Sequence, residues 1–252
     1  MEKYFNVNRD GCSICCKLYS DGAKKTEKVV LCGHGFAGHR DNKAAEKFAG
    51  KLLAKNKGVA VITFDWPCHG SDVRKSLRLE DCAHYFEIMV GYIEETYSDP
   101  ELYGYATSFG GYLFLKSISE NGDPFKKLAL RCPAVNMYDV LTKNIMTGDD
   151  LLKLEKGKPV LVGFDSKIKI DKPFIESLKA EDISGRDFFD YAEDILILHG
   201  TEDEIVPFDA VERFADNSLI EFVPVEGADH RFLDPLKMEQ AIKRITAFFG
   251  MK

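Results

Sequence analysis

The stretch ELYGYATSFGGYLFLKSISE (residues 101–120) decides the fold. Its first six residues read as a short strand, and FGGYLFLKSISE (109–120) resumes with helical spacing. Between them, ATSFGG (106–111) resembles the sharp G-x-S-x-G turn that lifts a nucleophilic serine above a sheet, with Ala106 where the first glycine stands. Such a turn brings its backbone close to both neighbouring elements, hence the need for small residues on each side of the serine. Ala106 adds only one methyl, and Gly110-Gly111 keep the crowded helix side open. A lone S-x-G-G is a weak signal. Its place between a strand and a helix makes Ser108 a candidate nucleophile.

Outward from this turn, apolar runs alternate with helical patterns. Residues 4–7 and 13–19 read as a hairpin around Asn8-Arg9-Asp10-Gly11, and VVLC (29–32) and VAVITFD (59–65) as strands. Helices are expected over 44–55 and 79–97, and a strand over 127–132. After a mixed stretch, alternation returns with strands at 194–200 and 219–225 and helices at 208–217 and 235–250. This order predicts an α/β fold with a mostly parallel sheet, here of eight strands, and helices on both faces. Residues 134–187, with a hairpin-like KPVLVGFDSKIKI (158–170), read as an inserted cap. The core domain is then 1–133 and 188–252.

The chain has 252 residues and a net charge of −7. This acidity argues against a nucleic-acid partner, which needs clustered Lys and Arg. No apolar h-region opens the chain and no apolar run approaches a membrane span, so a cytoplasmic location without membrane contact is expected. The seven cysteines all precede position 133. Cys12-x-x-Cys15-Cys16 has no matching second pair, and reduced, mostly buried thiols are expected. Asp65, His69 and Asp72 lack the spacing of a metal site, and no glycine-rich phosphate loop is present; no metal or cofactor is expected.

Ligands of open α/β sheets gather beyond the carboxyl ends of the strands. Five unusual stretches fall there: GHGFAGH (33–39), DWPCHGS (65–71), ATSFGG (106–111), HGTEDEIVP (199–207) and EGADHRF (226–232). A serine hydroxyl needs a base, and imidazole is the usual one near neutral pH. Of the six histidines, His84 falls within a helix, and His34 and His199 precede glycines at strand ends. His230 lies in a polar loop after the last strand, where a base can reach back over the sheet edge. Asp203, in a tight turn after His199-Gly200, is the candidate to orient that base, with Glu202 and Glu204 as its flanking alternatives. The amides of Phe109 and Phe36 are the candidates for an oxyanion hole.

On these residues the chain resembles the α/β-hydrolase superfamily along essentially its full length. Within it, the sequence is most similar to small bacterial cinnamoyl/feruloyl esterases. HGFAGHR, the D-x-x-x-H-G-x-S stretch, the serine turn, CPAVNM, HGTEDEIVP and EGADHRF carry the likeness. It departs from the family pattern at Ala106 and at Pro67-Cys68. The resemblance implies a triad of Ser108, Asp203 and His230, oxyanion amides at Phe36 and Phe109, and a cap between the sixth and seventh strands. It also implies a small-molecule ester substrate hydrolysed through an acyl-enzyme. In the cap, Tyr138-Asp139 stands where the family places an acid facing a phenolic hydroxyl; an ordinary acid at a helix start is the other reading. A peptidase, thioesterase or lipase on the same scaffold, or a ligand-binding protein without turnover, remain alternatives, and a homodimer is left open.

Overall fold

The computed structural model describes residues 1–252. Its centre is an eight-stranded sheet of β1 (Glu2–Arg9), β2 (Cys12–Ser20), β3 (Lys28–Gly33), β4 (Val59–Phe64), β5 (Glu101–Thr107), β6 (Lys127–Arg131), β9 (Ile195–Gly200) and β10 (Glu221–Val225). Their order across the sheet is β1-β2-β4-β3-β5-β6-β9-β10. The first hairpin pairs antiparallel, β2 also runs antiparallel to β4, and all other neighbours are parallel. Every residue of β4 and of β9 is buried, which explains their unbroken apolar runs. β10 is an edge strand and carries an exposed Pro224, which has no amide to offer a further strand.

The helices α1 (Lys43–Lys55) and α8 (Pro235–Phe248) cover one face, over a cluster including Phe48, Tyr105 and Phe249. The larger core, on the other face, packs α2 (Leu79–Thr96), α3 (Phe109–Asn121) and α7 (Phe208–Ser218) over Trp66, Phe114 and Phe214. Strand β10 starts at Glu221 rather than at 219, because Leu219 takes a left-handed conformation (φ 56°) that ends α7.

The sheet neighbours β6 and β9 are far apart in sequence, and the chain between them forms a separate layer. It contains α4 (Met137–Asp139), a π-helical run to Ile145, α5 (Gly148–Glu155), a hairpin of β7 (Val160–Val162) and β8 (Ile168–Ile170), and α6 (Lys172–Ala180). Asp171 caps α6 through the Phe174 amide and holds Arg78 in a two-pronged pair at 2.9 and 2.8 Å. That pair ties the inserted layer to the start of α2. All seven cysteines are unbridged, five of them buried. No helix is long and apolar enough to cross a membrane.

Candidate active site

Strand β5 ends at Thr107 and α3 begins at Phe109, so Ser108 alone makes the turn. It does so at φ 52°, ψ −120°, a region that side-chain-bearing residues rarely enter. The Ser108 amide donates to the Arg131 carbonyl, and its own carbonyl accepts from Tyr112 and Ala134. This bonding holds the turn on three sides. A Cβ on Gly110 would stand 2.7 Å from the carbonyl oxygens of Gly33 and His34, so only glycine fits there. Ala106 faces Gly33 across the β3–β5 pair. A Cβ on Gly33 would come within 3.4 Å of the Ala106 methyl and 2.9 Å of the Phe114 ring. The bulk that a glycine at 106 would have left out is thus accommodated by a glycine opposite it.

Ser108 is 8% exposed and opens into a cleft of about 450 Å³. Phe36, Ile145, Phe164 and Ile205 supply its apolar wall, and His230 stands in the same cleft. Asp203 Oδ2 lies 2.7 Å from His230 Nδ1, while Oδ1 accepts the amides of Ile205 (2.9 Å) and Val206 (2.7 Å). Burial alone would raise the Asp203 carboxyl; the bonds from His199 and His230 outweigh it and hold the group well below the usual carboxylate range. Asp203 is therefore ionised, His230 Nδ1 carries the proton, and Nε2 is left as the basic nitrogen.

The loop after β3 approaches Ser108 closely. A Cβ on Gly35 would be 3.1 Å from Ser108 Cβ and 3.7 Å from its Oγ. The next amide, of Phe36, donates to no protein acceptor. The Phe109 amide is the first of α3 and has no acceptor within its own helix. The Phe36 and Phe109 rings meet edge to face at 5.9 Å, fixing the two segments against each other.

His34 braces this loop. Its Nδ1 lies 2.8 Å from the Gly35 carbonyl, and its Nε2 accepts the Trp66 amide at 3.2 Å. An imidazole that donates at one nitrogen and accepts at the other is neutral, and burial lowers its pKa to about 4. His69, behind it, donates to Pro67 and is lowered by burial to about 3. Asp65, fully buried, accepts the Arg40 and Ser71 amides and pairs with the Arg40 guanidinium. The D-x-x-x-H-G-x-S stretch thus acts as a frame for the loop after β3.

Two expected residues lie elsewhere. Asp139 pairs with Lys143 one turn on at 2.8 Å and accepts from Asn136, the ordinary situation of an acid at a helix start. Tyr138 packs against the core with Lys179 over its ring. Neither forms part of the cleft wall around Ser108. Glu202 is likewise outside the wall, and Glu204 accepts the His230 amide at 3.3 Å.

The structure also adds residues. His199 is buried, and its Nε2 lies 3.2 Å from Asp203 Oδ2 and 3.0 Å from the Val206 carbonyl. Both partners are acceptors, so Nε2 carries the proton and the ring supports the carboxylate. The four-residue spacing of His199 and Asp203 in a tight turn was the signal available for this contact. Cys132, Asp203 and His230 bring ligand-type atoms within 4.8 Å of one another. Burial, with the Asp203 charge beside it, raises the Cys132 thiol well above its ordinary value, so it stands protonated beside the Asp203 carboxylate. Phe164 and Asp165, at the tip of the β7–β8 hairpin, meet Arg231 at 4.9 Å (ring to guanidinium) and 3.6 Å.

No curated protein matches the sequence. Among solved structures, Est1E of Butyrivibrio proteoclasticus with bound ferulic acid aligns over 98% of this chain and 99% of its own at 18% identity and a TM-score of 0.78. The esterase domain of a Rhodothermus marinus protein aligns over 98% and 97% at 17% identity and a TM-score of 0.71. A soluble variant of the Saccharomyces cerevisiae monoglyceride lipase, with a substrate analogue, aligns over 99% and 94% at 14% identity and a TM-score of 0.74. A family model described as the alpha/beta hydrolase fold matches residues 28–166, more than half of the chain. With that match and the sheet order described above, the chain belongs to the α/β-hydrolase family and is similar in structure to Est1E.

Proposed function

We propose that the protein is a serine carboxylic-ester hydrolase with Ser108, Asp203 and His230 as its triad. The observation that carries this reading is the strained Ser108 turn opening into the cleft that His230 lines, with His230 Nδ1 held 2.7 Å from the ionised Asp203. His230 Nε2 takes the Ser108 proton as Oγ attacks the ester carbonyl. The amides of Phe36 and Phe109 receive the oxyanion. His230 returns the proton to the leaving alcohol, and a serine acyl-enzyme remains. Water then loses a proton to the same nitrogen, attacks the acyl carbon and frees the acid and Ser108.

The substrate class we infer is small aryl or short-acyl esters, with hydroxycinnamoyl (feruloyl-type) acyl groups first. A cleft of about 450 Å³ edged by the Phe36 and Phe164 rings suits a slender aromatic acyl group better than a long lipid tail. The sequence motifs shared with cinnamoyl esterases, and the ferulic acid found in Est1E, point the same way. The test is a panel of esters in which only the acyl part varies, with Ser108→Ala as the control. Hydroxycinnamoyl esters should give the highest kcat/KM, and Ser108→Ala should lose at least about 10³-fold. Preference for long aliphatic chains would remove the hydroxycinnamoyl assignment; full activity in Ser108→Ala would remove the mechanism.

A further inference from the structure

The inserted layer meets the turn that holds Asp203 through one short segment. After α4 the chain widens into the π-helical run Val140–Ile145, closed by the Met146 amide on the Leu141 carbonyl at 2.9 Å. Such wide turns are rare and recur at functional sites. This one ends in two neighbouring side chains with different contacts. Asn144 Nδ2 donates to the Ile205 carbonyl at 2.7 Å, across 61 positions of sequence. Ile145 forms part of the apolar wall of the Ser108 cleft, and so does Ile205, which is 6% exposed.

Ile205 also belongs to the Asp203 turn. Its amide donates to Asp203 Oδ1 at 2.9 Å, and Asp203 Oδ2 lies 2.7 Å from His230 Nδ1. A line of short hydrogen bonds thus runs from Asn144, by way of Ile205 and Asp203, to the ring of His230. Its first link is its weakest. Asn144 is exposed, so water competes for the side-chain amide and the bond adds little on its own. The two ends of that link carry the two isoleucines of the wall, and β-branched side chains are stiff at χ1. A substrate group that packs on both therefore fixes their backbones relative to each other and holds the link closed.

We propose that Ile145 and Ile205 sense the acyl group and that Asn144 is a positioning residue, so that acyl groups long enough to cover both isoleucines are turned over faster and not merely bound more tightly. This rests on the reading above, in which the acyl part lies along the apolar wall and His230 is the base. Contact made away from the reacting carbonyl is then used to hold Asp203 and His230 in place, which raises kcat. An acetyl group has one methyl beyond its carbonyl, leaves the isoleucines uncovered and gains nothing from the link. The effect is cleanest in deacylation. The alcohol has left by then, the acyl group is all that remains of the substrate, and His230 Nε2 must take a proton from water.

The test compares p-nitrophenyl 3-phenylpropanoate with p-nitrophenyl acetate, which share a readily departing alcohol. Deacylation is read as the steady rate that follows the burst of p-nitrophenolate, each rate divided by that of the same ester with hydroxide. In the wild-type protein the ratio should favour the aryl acyl group at least about tenfold. Asn144→Leu removes the donor from an exposed position and should lower the ratio about fivefold, and Asn144→Gln, which keeps a donor, should restore part of it. A general loss of structure would instead slow both acyl-enzymes by the same factor. Ile145→Ala should lower the ratio as Asn144→Leu does, and the double variant should lower it no further, because both act through one link. A wild-type ratio near one, an Asn144→Leu variant that slows both acyl-enzymes equally or neither, or losses that add in the double variant would overturn the proposal. With Ser108 still labelled by a fluorophosphonate, those results leave the serine-hydrolase reading standing; hydrolysis of these esters by a protein whose Ser108 takes no label removes both.

Discussion

Holding a non-glycine residue in the left-handed half of backbone space costs on the order of 1–3 kcal/mol, and Ser108 is held there by three backbone bonds and two close-packed glycines. Ala106 plays no part in that strain, since its methyl fills the space left by Gly33. Ala106→Gly should therefore bring no gain in kcat/KM and should lower stability by about 0.5–1 kcal/mol through backbone entropy, read by chemical denaturation. Gly110→Ala should abolish activity as the turn shifts away from the Gly33 and His34 carbonyls, with a stability loss of about 1–3 kcal/mol. His199 bears on the same chemistry at one remove. His199→Phe keeps the ring contacts with Phe208 and Phe222 but removes the Nε2–H that shares Asp203. Asp203 then holds the protonated base more tightly. The acid limb of the kcat/KM profile should move to higher pH, kcat should fall on the order of tenfold, and His199→Gln should restore part of both.

Among the elements, the β7–β8 hairpin reaches the site most directly from outside the sheet. Gly163 turns it at φ 134°, and a Cβ there would stand 2.4 Å from the Ser166 carbonyl oxygen and 2.8 Å from the Ala37 methyl of the loop after β3. Gly163→Ala should push the hairpin tip off that loop. KM for aryl esters should rise severalfold in steady-state assays, with a smaller change in thermal stability. Legibility in the sequence follows the same division. Strands such as VAVITF and helices such as the one over 79–96 were readable because their pattern depends on burial by the sheet alone. The serine, aspartate and histidine positions were readable because each sits in a short, chemically unusual turn at a strand end. Tyr138 and Asp139 allowed two readings, because nothing in a helix-start acid tells which way the inserted layer turns it; Asp139 pairs with Lys143 one turn on.

Across the whole molecule, two buried histidines couple the frame behind the loop after β3 to pH. His34 and His69 are lowered by burial to about 4 and about 3, against about 6.5 in an unfolded chain. Between those values the unfolded chain binds more protons, so stability is complete above about pH 6.5 and is lost as pH falls toward 4. Each contributes up to about 3 kcal/mol across that window. Asp123, raised by burial to about 6, works against them, by less because it is half-buried. The unfolding midpoint in urea should therefore fall between pH 6.5 and 4, and His34→Gln should flatten the fall. The central claim, that Ser108 is the activated nucleophile, is tested most directly by intact-mass and peptide analysis after treatment with a fluorophosphonate. The account predicts one adduct per chain, on Ser108, absent in Ser108→Ala and formed far more slowly in His230→Ala. An adduct on another residue, or none in a protein that still hydrolyses aryl esters, would contradict it.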